Sequence, residues 1–150
     1  MNSPLAQLYH IYIYIYIYII GQPAGDLCKN QKDFEALFDK IKSLYAQNNC
    51  RLIYIAHKRD SKAFLEYLAQ CGWEIKELDE IIEIHLLTLE QKPIKVVSFL
   101  SSALFNIAKI MPNIPLEAID IRPLVKDELT KDVEIIYELL QEQGISLITL

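Results

Sequence analysis

The chain has 150 residues, 52% hydrophobic and 23% charged, which is enough apolar material for one buried core and excludes a disordered segment. Its net charge of −5 argues against a nonspecific nucleic-acid binder, which needs clustered Lys and Arg against phosphate. Cys28, Cys50 and Cys71 are widely spaced and odd in number, so they suggest neither a disulfide framework nor a zinc site and point to a reducing cytoplasm.

The first element is YHIYIYIYIYII, residues 9–20. Ile at 11, 13, 15, 17 and 19 and Tyr at 12, 14, 16 and 18 repeat with period two, which sorts them onto opposite faces of an extended chain. β-branched and aromatic residues favour strands. The run is also short of the ~20 residues a membrane-spanning helix needs. It therefore predicts a strand. Ten such residues extend for roughly 33 Å, nearly twice a usual strand. Part of the repeat should overhang the sheet or pair with another chain, so a homodimer through residues 9–20 is hypothesised. The residues ahead of the repeat lack a basic region, so no signal peptide is expected.

GQPAGD follows as a loop by its Gly and Pro content. Residues 31–46 carry Phe34, Leu37, Phe38, Ile41, Leu44 and Tyr45 at helical spacing. RLIYIA, residues 51–56, predicts a buried strand. A helix over 60–70 turns Phe64, Leu65 and Leu68 inward and stops at Gly72. Next come a strand over 73–78, a helix over 81–90 and a buried strand over 94–99. A helix over 101–109 ends before Pro112. A brief strand at 118–121, a long amphipathic helix over 126–143 and a last strand over 145–150 complete the chain. Strand and helix alternate throughout, so the expected fold is α/β: one Rossmann-like domain over 1–150, a doubly wound parallel sheet with helices on both faces.

In such sheets ligands bind beyond the carboxyl ends of the strands. The loops there carry Gly21, Gln22, Pro23 and Asp26 after the first strand, His57, Lys58, Arg59 and Asp60 after the second, and Ser101 and Ser102 after the fourth. Paired serines opening a helix offer a phosphate site through free N–H donors and the helix dipole. Each residue also has a plain structural role open to it. Ser101 or Ser102 serves as an N-cap, and Asp26 as a turn residue. His57 is then an ordinary loop residue, and Lys58, Arg59 and Asp60 are solvated charges, with Asp60 able to cap its helix. His85 reads as a helix-face histidine, His10 as structural, and the charges over 126–131 as a solvated helix start.

Three stretches, IIGQPAGD, LIYIAHKRDS and PIKVVSFLSSALFNIA, together span Ile19 to Ala108, and IDIRPL fits a final strand after them. In this order they resemble the nucleotide-binding half of bacterial sialyltransferases of glycosyltransferase family 52 and, more distantly, the bacterial polysialyltransferases. The resemblance implies a GT-B-like half and a donor nucleotide sugar, CMP-sialic acid. It implies no cofactor and no metal. The reaction implied is inverting transfer of sialic acid to a surface glycan of the lipooligosaccharide type. It makes His57 the counterpart of the family histidine that serves the CMP phosphate as it departs. Ser101 and Ser102 match its phosphate-binding serine pair, and Gly21 and Gln22 fall in the nucleotide loop. Asp26 lies nearest the acidic motif that supplies the general base, and Glu83 corresponds to an acidic residue near the nucleotide. The chain departs from the family at Lys58, where the family has proline, and at Gly25-Asp26-Leu27, which lacks the motif's first acid and its glycine.

The family's enzymes carry a further N-terminal domain that binds the acceptor, whereas 20 residues precede Gly21 here. A truncated form lacking the acceptor half is therefore expected. The alternative is a catalytically inactive nucleotide-binding or partner-binding α/β module. The expected location is the cytoplasm, at the cytoplasmic face of the inner membrane if a glycan acceptor is presented there. Alternating Ile and Tyr can be encoded as repeated ATA-TAT, a tract that slips in replication, so the reading frame is hypothesised to be the C-terminal part of a larger gene. Sequencing the gene checks this: a pure AT tract with coding sequence upstream in another frame is expected, and a mixture of Ile and Tyr codons rules it out.

Overall fold

The computed structural model describes Pro4, residues 15–46 and residues 49–150. Among residues 15–150 as described, six strands, β1 (Tyr16–Ile20), β2 (Arg51–Ile55), β3 (Glu74–Lys76), β4 (Lys95–Ser98), β5 (Leu116–Ile119) and β6 (Ser146–Ile148), alternate with five α-helices. The helices are α1 (Gln31–Tyr45), α2 (Lys62–Gln70), α3 (Ile82–Thr88), α4 (Ser102–Ile110) and α5 (Thr130–Glu142). The strands form one sheet in the order β3-β2-β1-β4-β5-β6, and every neighbouring pair is parallel. The chain winds outward from β1 to β3, crosses back to β4 and winds out to β6. This is the doubly wound, Rossmann-like α/β sheet expected from the alternation.

The Ile/Tyr repeat supplies the central strand, and register makes its two faces explicit. Ile19 stands beside Tyr54 and Val97, and Tyr18 beside Ile53 and Val96. All five residues of β1 are buried, Tyr as well as Ile. A sheet covered on both sides has no polar face, so an alternating Ile/Tyr sequence fits it only because both residue types are large and apolar. On the Ile19 side, Phe34 and Phe38 of α1, Tyr54, Phe64 of α2 and Phe99 form one aromatic cluster. Its ring centroids lie 5.2 Å apart for Phe34–Phe99 and 5.5 Å for Phe38–Phe64. Full burial of such a side chain contributes about 1.5–3 kcal/mol. On the Tyr18 side α3 covers the sheet. The Tyr18 hydroxyl lies 2.9 Å from His85 Nε2, and His85 Nδ1 lies 3.2 Å from Glu80. Burial pushes the Tyr18 phenol's pKa up, so it stays a neutral partner for the ring. His85 is thus on a helix face, as expected, and that face is buried against the sheet.

Both edges of β1 are occupied, by β2 and β4. The hypothesised dimer contact therefore has no free edge at residues 16–20. Residues 9–14 of the repeat, and His10 among them, lie outside the described residues.

Several boundaries differ from expectation for local reasons. The helix expected over 126–143 begins as a 3-10 turn, Asp127–Leu129, and becomes α-helical at Thr130. Lys126 is extended because its N–H donates to Leu27 O at 2.9 Å, beside an antiparallel bridge between Cys28 and Val125. α3 stops at Thr88, short of residue 90, where Leu89 turns extended and Lys92 Nζ caps the carbonyls of Leu86 and Leu87 at 2.7 and 3.2 Å. β5 begins two residues before the expected position, at Leu116 beside Val96. IDIRPL is not a final strand: it leaves β5 at Ile119, and Arg122–Leu124 is a 3-10 turn before α5 and β6. Gly72 closes α2 as expected, at φ 87°, a backbone conformation glycine adopts without strain. The three cysteines are free thiols, and burial pushes that of Cys28 up to about 11. Among the described residues, no helix is long and apolar enough to cross a membrane.

Asp120, at the end of β5, has a side chain only 8% exposed and pairs with Arg122 at 2.6 Å. Burial opposes its ionisation, but hydrogen bonds from the Arg122 guanidinium and backbone N–H, with that positive charge, win and hold the carboxyl below its usual value. A carboxyl depressed in the folded state adds stability above its unfolded value and loses it as pH falls through the folded value. Urea stability should therefore decline from about pH 4 downward, and Asp120→Asn should flatten that acid limb. An unchanged acid limb in the variant would remove Asp120 as its source.

Candidate functional site

β1 lies where the winding reverses, so the loops after β1 and β4 diverge and leave a crevice at the carboxyl end of the sheet. A cleft of about 290 Å³ occupies it. Gly21, Gln22, Asp26, His57, Ser101 and Ser102, taken from three separate loops, all line it, and so does Arg59. Glu83 does not: it lies half-buried on α3, and Glu80 rather than Glu83 is the acid that meets His85.

The loops are tied to the sheet and to one another. Gly21 N–H donates to Ile55 O at 2.8 Å, extending the β1–β2 pairing one residue past the strand. A Cβ on Gly21 would lie 2.8 Å from that carbonyl and collide with the Tyr54 hydroxyl. Only glycine lets the backbone pass here. The buried Ser98 hydroxyl donates to Ile20 O at 2.9 Å, and Gln22 Oε1 accepts from Leu100 N–H at 2.7 Å. Gln22 is thus a brace between two walls of the cleft. From the β5 side, Lys126 Nζ donates to Gly25 O at 3.1 Å and fixes the short turn Ala24–Asp26.

The second loop is organised by Asp60. Its Oδ2 accepts from the Tyr54 hydroxyl at 2.7 Å and from His57 N–H at 2.9 Å, so it is no free solvated charge. The cap of α2 is instead Ser61, whose hydroxyl accepts from Phe64 N–H at 3.1 Å. His57 Nδ1 accepts from Arg59 N–H at 3.0 Å. A ring nitrogen that accepts carries no proton, which leaves the proton on Nε2. With Nδ1 accepting, Nε2 is the ring nitrogen left to donate to a ligand.

Ser101 takes the structural role open to it. It is the N-cap of α4, with its hydroxyl accepting from Ala103 N–H at 3.1 Å. Ser102, the first helical residue, stands at the cleft with its own hydroxyl and backbone N–H, whereas the next two N–H groups, of Ala103 and Leu104, are taken by the Ser101 hydroxyl and carbonyl. The wall therefore offers the Ser102 hydroxyl and N–H and the imidazole N–H, with one guanidinium from Arg59. This is a set of donors, suited to an anion.

Asp26 is the exception. Its carboxylate is paired with the Arg59 guanidinium. The pair separates the first cleft from a second, of about 230 Å³, where Gln31, Asp60 and Ser61 join Asp26 and Arg59 on the lining. From the sequence alone Arg59 reads as a solvated charge. Its position in HKRD carried no mark, because its partner lies 33 residues away.

Gly21→Ala should destabilise the fold by about 1–3 kcal/mol through overpacking against Tyr54 and Ile55, read from urea melts. A change within about 0.5 kcal/mol would mean that the loop yields instead. Comparison of the chain with protein-family models and with curated proteins gives no match, so the family resemblance rests on the residues named above.

Proposed function

We propose that this chain is the nucleotide-binding domain of a sialyltransferase-like glycosyltransferase, holding CMP-sialic acid in the first cleft without a metal. The observation that carries the reading is the meeting of His57 and the Ser101–Ser102 helix start at one cleft. Those residues also carry the family resemblance, and they come from loops 44 residues apart (101 − 57). In the proposed reaction an acceptor hydroxyl attacks the anomeric carbon, the bond from that carbon to the phosphate oxygen breaks, and CMP leaves with the electron pair. His57 Nε2–H, the Ser102 hydroxyl and N–H and the positive end of the α4 dipole stabilise the charge gathering on the phosphate. The acceptor's proton passes to a carboxylate, for which Asp26 is the cleft's candidate. A single displacement inverts the anomeric centre.

A second reading is a module that binds the nucleotide and catalyses nothing. It is favoured by the engagement of Asp26 with Arg59, and by the incomplete acidic motif Gly25-Asp26-Leu27.

Calorimetric titration with CMP tests the common part of both readings. Saturable binding is expected, weakened about 10- to 100-fold in His57→Ala and in the Ser101→Ala/Ser102→Ala double variant, the loss for removing hydrogen bonds to a charged group. No heat at millimolar CMP would sink both. Transfer from CMP-sialic acid to a galactoside then separates catalyst from binder.

A further inference from the structure

Asp26 and Arg59 stand on the wall common to the two clefts and pair with each other there. Neither is buried: the side chains remain 53% and 67% exposed. An ion pair this open is worth on the order of 0–1 kcal/mol, so a better partner displaces it at little cost. Among the described residues lining the first cleft, Arg59 carries the one full positive charge. Its planar fork suits a phosphate or carboxylate through two parallel N–H donors. Its backbone is held, since Arg59 N–H donates to His57 Nδ1 at 3.0 Å, while the long side chain is left to turn. The same residue therefore has two anionic partners within its compass: a fixed carboxylate, and whatever anion enters beside His57 and Ser102.

We infer that the Asp26–Arg59 pair is a self-masking contact that an anionic ligand of the first cleft opens. The ligand's anion takes the guanidinium, and the Asp26 carboxylate loses its counter-charge. It is then open to accept a hydrogen bond from a hydroxyl-bearing molecule in the second cleft, whose lining from Gln31 and Ser61 is polar. Occupancy of one cleft thus readies the carboxylate that faces the other. The inference rests on the reading of the first cleft as an anion site, and adds that Asp26 competes with the ligand for Arg59. A rigid salt bridge serving only to join two loops has the opposite consequence, since removing either partner would loosen the site.

The test is calorimetric titration of the full chain with CMP and, separately, with inorganic pyrophosphate. Asp26→Asn removes the competitor and should tighten both about three- to fivefold, the upper part of what an exposed pair of this worth can withhold. Arg59→Ala should weaken both about tenfold or more, the loss of a charge-assisted pair. The decisive variant is the double one. In the Arg59→Ala background, Asp26→Asn should bring no further gain beyond about twofold, because the gain acts through Arg59. Lys58→Ala and Glu77→Gln make the same charge changes on the same rim without lining the cleft, and should leave affinity within about twofold.

Equal tightening by Asp26→Asn with and without Arg59 would reduce the effect to simple repulsion and overturn the exchange. Weaker binding in Asp26→Asn, or loss of a cooperative melt in either single variant, would make the pair a structural tie and overturn it as well. CMP binding that no variant alters leaves the nucleotide reading standing and removes the exchange. Pyrophosphate binding with the predicted pattern, but none for CMP, does the reverse. No binding of either anion by the wild-type chain or by Asp26→Asn sinks both.

Discussion

The constraint on which the rest depends is the central place of β1. A strand bonded on both edges and covered on both faces needs bulky apolar side chains in every direction, and Tyr16 to Ile20 provide them. Because β2 lies to one side and β4 to the other, the chain must leave β1 toward one face and β4 toward the other. The crevice between the departing loops is a product of topology before any side chain is considered. What the sequence adds is the choice of polar groups around that gap.

Those groups are held by a set of short ties in which nearly every partner is distant in the chain. Ser98 bonds to Ile20, Gln22 to Leu100, Gly21 to Ile55 and Lys126 to Gly25. The first three join neighbouring strand ends and the last reaches across β4 from the β5 side, so the rim behaves as a continuation of the sheet rather than as independent loops. This matters for ligand binding: side chains on a braced rim lose little freedom when an anion arrives, and the ordering cost of association falls accordingly. The Asp26–Arg59 pair is unlike the others, since both its side chains stand more than half exposed.

Much of this was legible in the sequence. Period-two alternation gave β1, the spacing of Phe34, Phe38 and Ile41 gave α1, and topology alone placed Gly21, His57 and Ser102 on one rim. What escaped was non-local. Nothing in a run of charges distinguishes Arg59, which reaches Asp26, from Lys58, which does not line the cleft. Asp60 reads as a solvated charge able to cap its helix, and only the fold brings Tyr54 and its own loop backbone to its carboxylate. The delayed start of α5 follows from Lys126 pairing with Leu27, a contact between segments about a hundred residues apart that no local propensity encodes. His85 lies on a helix face as expected, but which way that face turns was not legible, for a similar reason. A histidine in an apolar helix shows its inward orientation only once Tyr18 is opposite it.

A strand written in identical two-residue units carries no internal ruler. Sliding it by one Ile-Tyr unit past β2 and β4 returns each type of side chain to its former face, so hydrophobic pattern alone cannot choose between such alignments. Gly21 supplies the missing index mark: it is the one residue that can sit against the Tyr54 hydroxyl, and any shift by two would drive a bulkier side chain into that place. A glycine at the brink of a monotonous strand thus fixes the phase of the whole sheet.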